Sequence, residues 1–564
     1  MPLSETEFIA LVEAAADYDD LIENRYFKVR DSAENGRLQQ IFETSAAHSR
    51  ASAVAREAKA FRGWLASGKV NVLKLRDSKT LPLWAQQVRQ MLEACQQSNP
   101  TRNNSLSKRL LAPVMAYARA ELQSRIRRQP RFLPARVLRR FEMQLENRLT
   151  GTMQYCLDHN LGAFEAAFRC VYSSGAQFRR EEIEREFVGE KPGDRLIRFL
   201  QAYPVLARLW SQLIVNWVDK IREFSSRLDA DHFAIQRAFY AGRNPGNLID
   251  VSIDVADPHH GGRETIIVRL HDGLVVYKPR SGRCESDWFS FLRWINGQGL
   301  TPSFRVVRIL RRKGYCWMEF VEHRACHNKT AAHSYFRRAG GLLCATYLLG
   351  AIDCHRDNVI AAGDEPVLID VETLFHDRAG VNCRESDRSL IRTNFLSIPN
   401  AVSGALADVS GFGGAPGKHT PTLRQQLLQA SSYSAEMQRG FRDMWKLIGQ
   451  SSTQTGAAFR RRIQRLTRKP WRRLHRSTKS YFDVRERSLA PEALRSGLDR
   501  SRRIALDLLR PGVDLDIISQ ETSALSRFDI PYFSEVPRRD FPLAGRLALS
   551  DLLASLRSAL IRPS

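Results

Sequence analysis

The sequence has no C-x-x-C pair. Its nine cysteines are scattered between Cys95 and Cys383. This spacing excludes a zinc ribbon or disulfide framework and reads as reduced thiols in a cytoplasmic protein. No cysteine follows Cys383, so the C-terminal third offers no cysteine-ligated metal site. Long apolar runs are missing as well. Stretches such as Gly341–Ala351 fall far short of the ~20 residues that cross a bilayer, so no membrane span is expected. The N-terminus, MPLSETEFIALVEAAADYDD, is acidic and has no basic region followed by an apolar one, so no secretory signal is expected. Acid is scarce overall: 61 Asp+Glu against 86 Lys+Arg leave a net charge of +25. Such an excess fits an acidic partner (nucleic acid, a phosphate-bearing cofactor, anionic membrane or an acidic peptide) and equally an arginine-rich proteome.

What is present is the composition of a folded chain. Hydrophobic residues make up 43% of 564, and 28 Phe, 14 Tyr and 9 Trp rule out disorder as the main state. The length suggests three or four structural units. Residues 1 to about 240 read as helical; Trp210, Leu213, Ile214, Trp217 and Ile221 share one helix face and are expected in the core. The arginine-dense segment Arg125–Arg140, with Pro130 and Pro134, reads as a surface connection. The pattern changes near residue 249. Strands are expected at Ile249–Val255, Glu264–Leu270 and Leu274–Tyr277, joined by DPHHGG and HDG turns. A helix over Glu285–Asn296, strands at Phe304–Arg311 and Tyr315–Val321, a helix over Tyr335–Gly350 and a strand over 366–375 follow. Residues 384–420 read as a long loop. Helices return over about 422–510 and 542–560.

The order of the middle third is informative. A strand, a glycine-containing turn, a second strand, and a third strand carrying Lys278 is the layout of a kinase N-lobe, where the turn covers ATP phosphates and the lysine neutralises them. GxGxxG itself is absent; the turn has only Gly261 and Gly262. Further on, Asp353 and Asn358 stand five apart, as the catalytic Asp and metal-binding Asn of kinases do, and Asp370 follows twelve residues later. Mg2+ ions that bridge phosphates require an amide oxygen and a carboxylate to converge beside the attacked hydroxyl. The literal HRD at 355–357 is a decoy: counted from Asp357, the Asn position holds Ala362. Asp357 is therefore read as a solvated loop acid. Glu372, two residues beyond Asp370, would face the same side of a strand and share the metal site.

The segments DPHHGGR (257–263), VVYKPRS (275–281), WMEFVEH (317–323), YLLGAIDCHRDNVIA (347–361) and PVLIDVETLF (366–375) resemble the dehydratase domain of the type II lanthipeptide synthetases, the LanM family. YPVLARLW (203–210), LRSGLDR (494–500) and RFDIPYFS (527–534) extend the resemblance. It implies an α+β fold with a two-lobed core like that of lipid kinases, embedded in extensive helical N- and C-terminal regions. Residues 1–240 would be the helical region, 241–325 the N-lobe, and 326–564 the C-lobe with an activation-type loop. The implied activity is phosphorylation of Ser and Thr in a ribosomally made precursor peptide with ATP and Mg2+, then elimination of phosphate to dehydroalanine or dehydrobutyrine. Carried over by residue, Lys278, Gly261 and Gly262 would contact ATP. Asp353, His355 and Asn358 would form the phosphotransfer loop, and Asp370 and Glu372 would complete the Mg2+ site with Asn358. Asp257 and His259 match a D-x-H implicated in elimination; Arg527 and Ser534 are the nearest candidates for an assisting Arg and Thr, with Ser in place of Thr.

Elimination needs a base for a weakly acidic α-proton and cations for the departing phosphate, and His259 suits acid–base work. His260 and His271 read as surface residues. Family members continue into a zinc-dependent cyclase, whereas this sequence ends at Ser564, so ring formation is not expected in this polypeptide; a separate cyclase and a degenerate or truncated gene are the two alternatives. The basic stretch 459–479, with Phe459 and Trp471 among arginines, reads as structural or peptide-directed rather than nucleic-acid-binding. Two alternatives stand beside the leading reading: a peptide or small-molecule kinase without elimination, and an inactive peptide-binding remnant.

Overall fold

A computed structural model describes residues 3–23, 25–29, 61, 64–65, 73–96, 105–126, 133–172, 178–376, 390–396, 408–449, 453–510, 513–537 and 548–561. Cys383 and residues 384–389 and 397–407 of the loop expected at 384–420 lie outside them. The fold is mixed helix and strand, mostly helical. The chain divides into two compact units, each assembled from three stretches: 1–232, 246–271 and 476–531 in the first, 233–245, 272–475 and 532–564 in the second. The eight described cysteines are all free thiols. No helix among the described residues is long and apolar enough to cross a membrane.

In the first unit, helices pack around the expected stripe. Trp210, Leu213, Ile214, Trp217 and Ile221 are all buried. Each indole N–H is satisfied: Trp210 Nε1 donates to Thr152 Oγ1 at 2.9 Å, and Trp217 Nε1 to the Phe141 carbonyl at 2.8 Å. Both acceptors lie on the 37-residue helix Ala135–Val171. That helix corrects one expectation. The segment Arg125–Arg140 is not all connection: Pro134 caps the helix, where a missing N–H does no harm, and Arg136 and Arg140 are helical. They pair with Asp250 at 2.9 and 3.3 Å. Asp250 belongs to the antiparallel hairpin Leu248–Ser252 and Ile266–Leu270, with Val251 opposite Val268. The loop of this hairpin is closed at its neck by Glu264, whose fully buried carboxylate takes Lys220 Nζ at 2.7 Å, Gln144 Nε2 at 2.8 Å and Arg148 at 3.2 Å.

In the second unit, Gly273–Lys278 pairs antiparallel with Cys316–Glu319, which pairs with Ile309–Arg311; Lys278 faces Cys316 across the first pair. The helix Arg283–Gly297 follows the lysine strand. The strand expected over Phe304–Arg311 shrinks to its last three residues, and that over 366–375 to Glu365–Leu368, paired with Val359–Ala362. Past Leu368 the backbone turns back on itself, with the Glu372 N–H donating to Asp370 Oδ1. The apolar run was misleading because Val371, Leu374 and Phe375 are buried as a packed turn rather than a strand. Phe459 and Trp471 are buried as well, which removes both from any base-stacking surface.

The core of this unit depends on one close helix crossing, between Lys329–Leu348 and Ser434–Met444. A methyl group on Gly340 would collide with the Met437 carbonyl oxygen, and one on Gly440 with that of Arg337. Gly440→Ala is expected to force the helices apart, lowering stability by about 1–3 kcal/mol. A thermal melt of the full chain would show it as a depressed midpoint.

Candidate active site

The lysine strand ends with Lys278 pointing inward, only 5% exposed. A buried ammonium needs an anion, and the sequence supplies one seven residues later. Gly282 makes the turn possible: its φ is +58°, and a side chain there would strike the Cys316 sulfur. The helix it caps carries Glu285 in its first turn, where the positive end of the helix dipole favours a carboxylate. Lys278 Nζ lies 2.8 Å from Glu285 Oε1, 3.1 Å from the Ile369 carbonyl and 3.9 Å from Asp370 Oδ2.

Two further cations join. Arg280 pairs with Glu285 at 2.6 Å, with Asp370 at 3.1 Å and with Glu372. Arg472 reaches Glu372 at 3.2 Å. Three carboxylates thus face three cations, and the cluster is neutral. Burial alone would raise every acid in it. For Asp370 the neighbouring Lys278, then Arg280 and Arg472, reverse this and hold the carboxyl far below its usual range. Glu285 is likewise lowered against its burial, by Arg280 and then Lys278. Glu372 goes the other way, raised by burial, with Arg280 opposing and the Asp370 charge adding to the rise. Glu285, Asp370 and Glu372 offer oxygens within 4.8 Å of one another. Glu285 Oε2 is buried and accepts no hydrogen bond among the described residues.

The loop 351–358 lies against this cluster. The Ile369 N–H donates to the Asn358 carbonyl at 2.8 Å, tying the loop to the residue before Asp370. Asn358 Nδ2 donates to the Asp353 carbonyl at 2.9 Å and lies 3.2 Å from His355 Nε2, which leaves Oδ1 as the remaining amide acceptor. His355 Nε2 is 3.6 Å from Asp353 Oδ1. The Asp357 side chain is 69% exposed, against 29% for Asp353. Lys278, Asp353, His355, Asn358, Asp370 and Glu372 therefore share one unit and one locality.

The other candidates divide between the units. Asp257, His259, Gly261, Gly262 and Arg527 lie in the first unit. There the Gly261 and Gly262 N–H groups donate to the two oxygens of Asp529 at 2.6 and 2.9 Å, so these amides already hold an anion. His259 Nδ1 is 2.8 Å from the Ile530 carbonyl; a carbonyl only accepts, so Nδ1 carries a proton. Asp257, Gly262, Asp529 and Arg527 line a cavity of about 360 Å³ together with Arg148 and Arg485. Arg527 is tied to Asp19 at 2.6 Å. Ser534 belongs to the second unit, on the strand Phe533–Glu535, directly opposite Arg472. His260 and His271 are exposed. The sequence reading missed Glu285, Arg280 and Arg472. Glu285 carried a signal, an acid on the first turn of the helix after the lysine strand; Arg472 carried none.

This is a mixed helix–strand protein in which a buried lysine–carboxylate cluster adjoins a D-x-H-x-x-N loop. The chain belongs to the DUF4135 family, described as a domain of unknown function, matched over residues 203–427 and 416–535. It is similar to the Lacticin 481/lactococcin biosynthesis protein LcnDR2 of Lactococcus lactis subsp. lactis, at 23% identity over 330 residues, 49% of this chain and 35% of that protein. The chain thus spans about a third of the length of that relative. The resemblance to the type II lanthipeptide synthetases is upheld by both matches.

Removing the ammonium should be costly. Lys278→Met is expected to destabilise by about 3–5 kcal/mol, because it strips a buried carboxylate pair of a cation. Asp357→Asn, at an exposed position, should leave the melting midpoint near that of the wild type. Similar midpoints for the two variants would contradict the buried-cluster geometry.

Proposed function

We propose that this protein acts in lanthipeptide biosynthesis as a dehydratase. It phosphorylates Ser and Thr of a precursor peptide with ATP and then eliminates the phosphate. The observation that carries the first half is the Lys278–Glu285 ion pair with Asp370 3.9 Å from the same ammonium, the lysine–glutamate–aspartate arrangement kinases use on nucleotide phosphates. On this reading the second unit is a kinase-like core. Asp353 accepts the proton of the substrate hydroxyl as its oxygen attacks the γ-phosphorus; the bond to the β-phosphate oxygen breaks and ADP leaves. His355 positions the loop through its contacts to Asn358 and Asp357.

The all-oxygen donors Asp370, Glu372 and Asn358 Oδ1 suit a hard dication, and the orphaned Glu285 oxygen marks the cluster as electron-rich. Mg2+ held there would supply charge neutralisation on the phosphates. Arg280 sits among the same oxygens and competes for them.

For elimination, His259 Nε2 or Asp257 takes the α-proton of the phosphorylated residue. The Cβ–O bond breaks, its electrons leave with the phosphate, and the C–H pair forms the Cα=Cβ bond. The second reading, a kinase without elimination, is favoured by one observation: Arg527 is already bound to Asp19.

Incubation with the precursor peptide encoded beside the gene, ATP and Mg2+ decides between them by mass spectrometry. Loss of one water mass per modified residue, through a transient phosphopeptide, is expected, and chelation of Mg2+ should stop both stages. Asp353→Asn should yield neither species, whereas His259→Ala should accumulate phosphopeptide. Phosphopeptide as the wild-type end product would establish the second reading, and unchanged peptide would refute both.

A further inference from the structure

Three arginines line the cavity of the first unit, and they differ in their partners. Arg148 is held by Asp254 at 3.3 Å and Glu264 at 3.2 Å. Arg527 is held by Asp19, with half its side chain in solvent. The side chain of Arg485, on the helix Thr478–Arg487, makes no hydrogen bond or ion pair among the described residues, although its backbone carbonyl accepts from Ser488 Oγ at 2.7 Å. Its guanidinium carbon instead lies 4.5 Å from the ring centre of Phe482 and 4.5 Å from that of Phe528. Two aromatic rings fix the plane of the group and leave its N–H donors unspent. Burial pulls its pKa down to about 10 and Arg148 adds to the fall, while Asp257 and Asp529 oppose it without cancelling it. A half-buried fork of donors without an acceptor is a mismatch that a bound oxyanion would remove.

The surroundings suit a phosphate. Gly261 and Gly262 have φ of +83° and +73°, and their amides form a concavity that already binds two carboxylate oxygens of Asp529. The cavity, at about 360 Å³, lies within the ~300–1,000 Å³ range of small-ligand sites. Asp257 lies on its wall, and His259 is carried on the same loop.

We infer that Arg485 is the cation that receives a phosphate monoester in this cavity, the phosphate being one carried by a Ser or Thr side chain of the peptide. This rests on the elimination half of the function proposed above and supplies what Arg527, tied to Asp19, does not. When the Cβ–O bond breaks, the charge that gathers on the departing phosphate oxygen meets the Arg485 guanidinium, and the α-proton goes to the base on the 257–259 loop.

The test uses the full chain and a fluorescent synthetic peptide bearing one phosphoserine, its unphosphorylated twin as reference, and ATP as competitor. Wild type is expected to prefer the phosphopeptide about tenfold, which corresponds to ~1.4 kcal/mol. Arg485→Gln should cut that preference to within twofold. Arg485→Met should do the same while still filling the gap between the two phenylalanine rings, and melting curves would show that the variants are folded. Arg485→Lys should retain part of the preference. Arg487→Gln, exposed on the same helix and paired with Asp507, should behave as wild type. An undiminished preference in both Arg485→Gln and Arg485→Met overturns the assignment. So does loss of preference in Arg527→Gln alone, or a competition by ATP that vanishes with Arg485, which would mean a nucleotide phosphate. The two proposals fail separately. Wild-type binding through Arg485 without dehydration sinks the proposed function and leaves this site; dehydration at the wild-type rate by Arg485→Gln does the reverse.

Discussion

The ammonium of Lys278 is buried against the carboxylate of Glu285, and the second unit is arranged so that this pair can exist. An unpaired ion at that depth would cost several kcal/mol, more than most single contacts provide. Three local features prevent this. Gly282 adopts a left-handed turn close to a neighbouring sulfur, the next helix begins at Arg283, and Glu285 falls in its first turn. The hairpin Val359–Ala362 and Glu365–Leu368 then delivers the Ile369 carbonyl and Asp370 to the same ammonium. Because each ion is the counter-charge of another, none can shift alone without exposing a neighbour's desolvation cost. That interdependence positions the group more tightly than hydrogen bonds to solvent could.

The first unit applies the same logic to anions rather than a cation. Glu264 is fully buried and gathers Lys220, Arg148 and Gln144, which shuts the neck of the 253–265 loop. Burial presses Lys220 down to about 8, with Glu264 opposing. At the tip of the loop Asp529 occupies two glycine amides, and the Ile530 N–H donates to the Pro258 carbonyl at 3.1 Å. The RFDIP segment is thereby stitched to the DPHHGG loop, although some 270 residues separate them. Arg485 stands apart from this satisfied network, and the contrast with Arg148 and Arg527 gives its unspent donors their meaning.

Much of this was legible in the sequence. The order of strands and turns singled out Lys278 on the third strand, and the five-residue spacing of Asp353 and Asn358 placed both on one short loop. Counting also separated Asp353 from the more conspicuous Asp357, and the two differ in exposure in the expected sense. Three things were not legible. The run 366–375 is apolar enough for a strand, but burial in a turn selects the same residues. Arg472 meets Glu372 only because a strand from a basic stretch pairs with Phe533–Glu535, and long-range pairing leaves no local periodicity. The commitment of Arg527 to Asp19 joins residues more than 500 apart, and no motif encodes it.

The neutrality of the Lys278 cluster has a consequence for the function proposed here. A triphosphate carries several negative charges, and three carboxylates already consume the local cations. A nucleotide entering alone would have to compete with Asp370 and Glu372 for Arg280 and Lys278. A nucleotide accompanied by a dication would not, since Asp370 and Glu372 would hold the cation and leave Arg280 and Lys278 to face phosphate. Asp370 is the most exposed of the three acids and is held ionised far below its usual range, so it is ready to exchange one cation for another without a proton having to leave first. Metal and nucleotide should therefore bind with strong mutual dependence, each supplying the charge the other needs in a pocket that is electrically balanced without either.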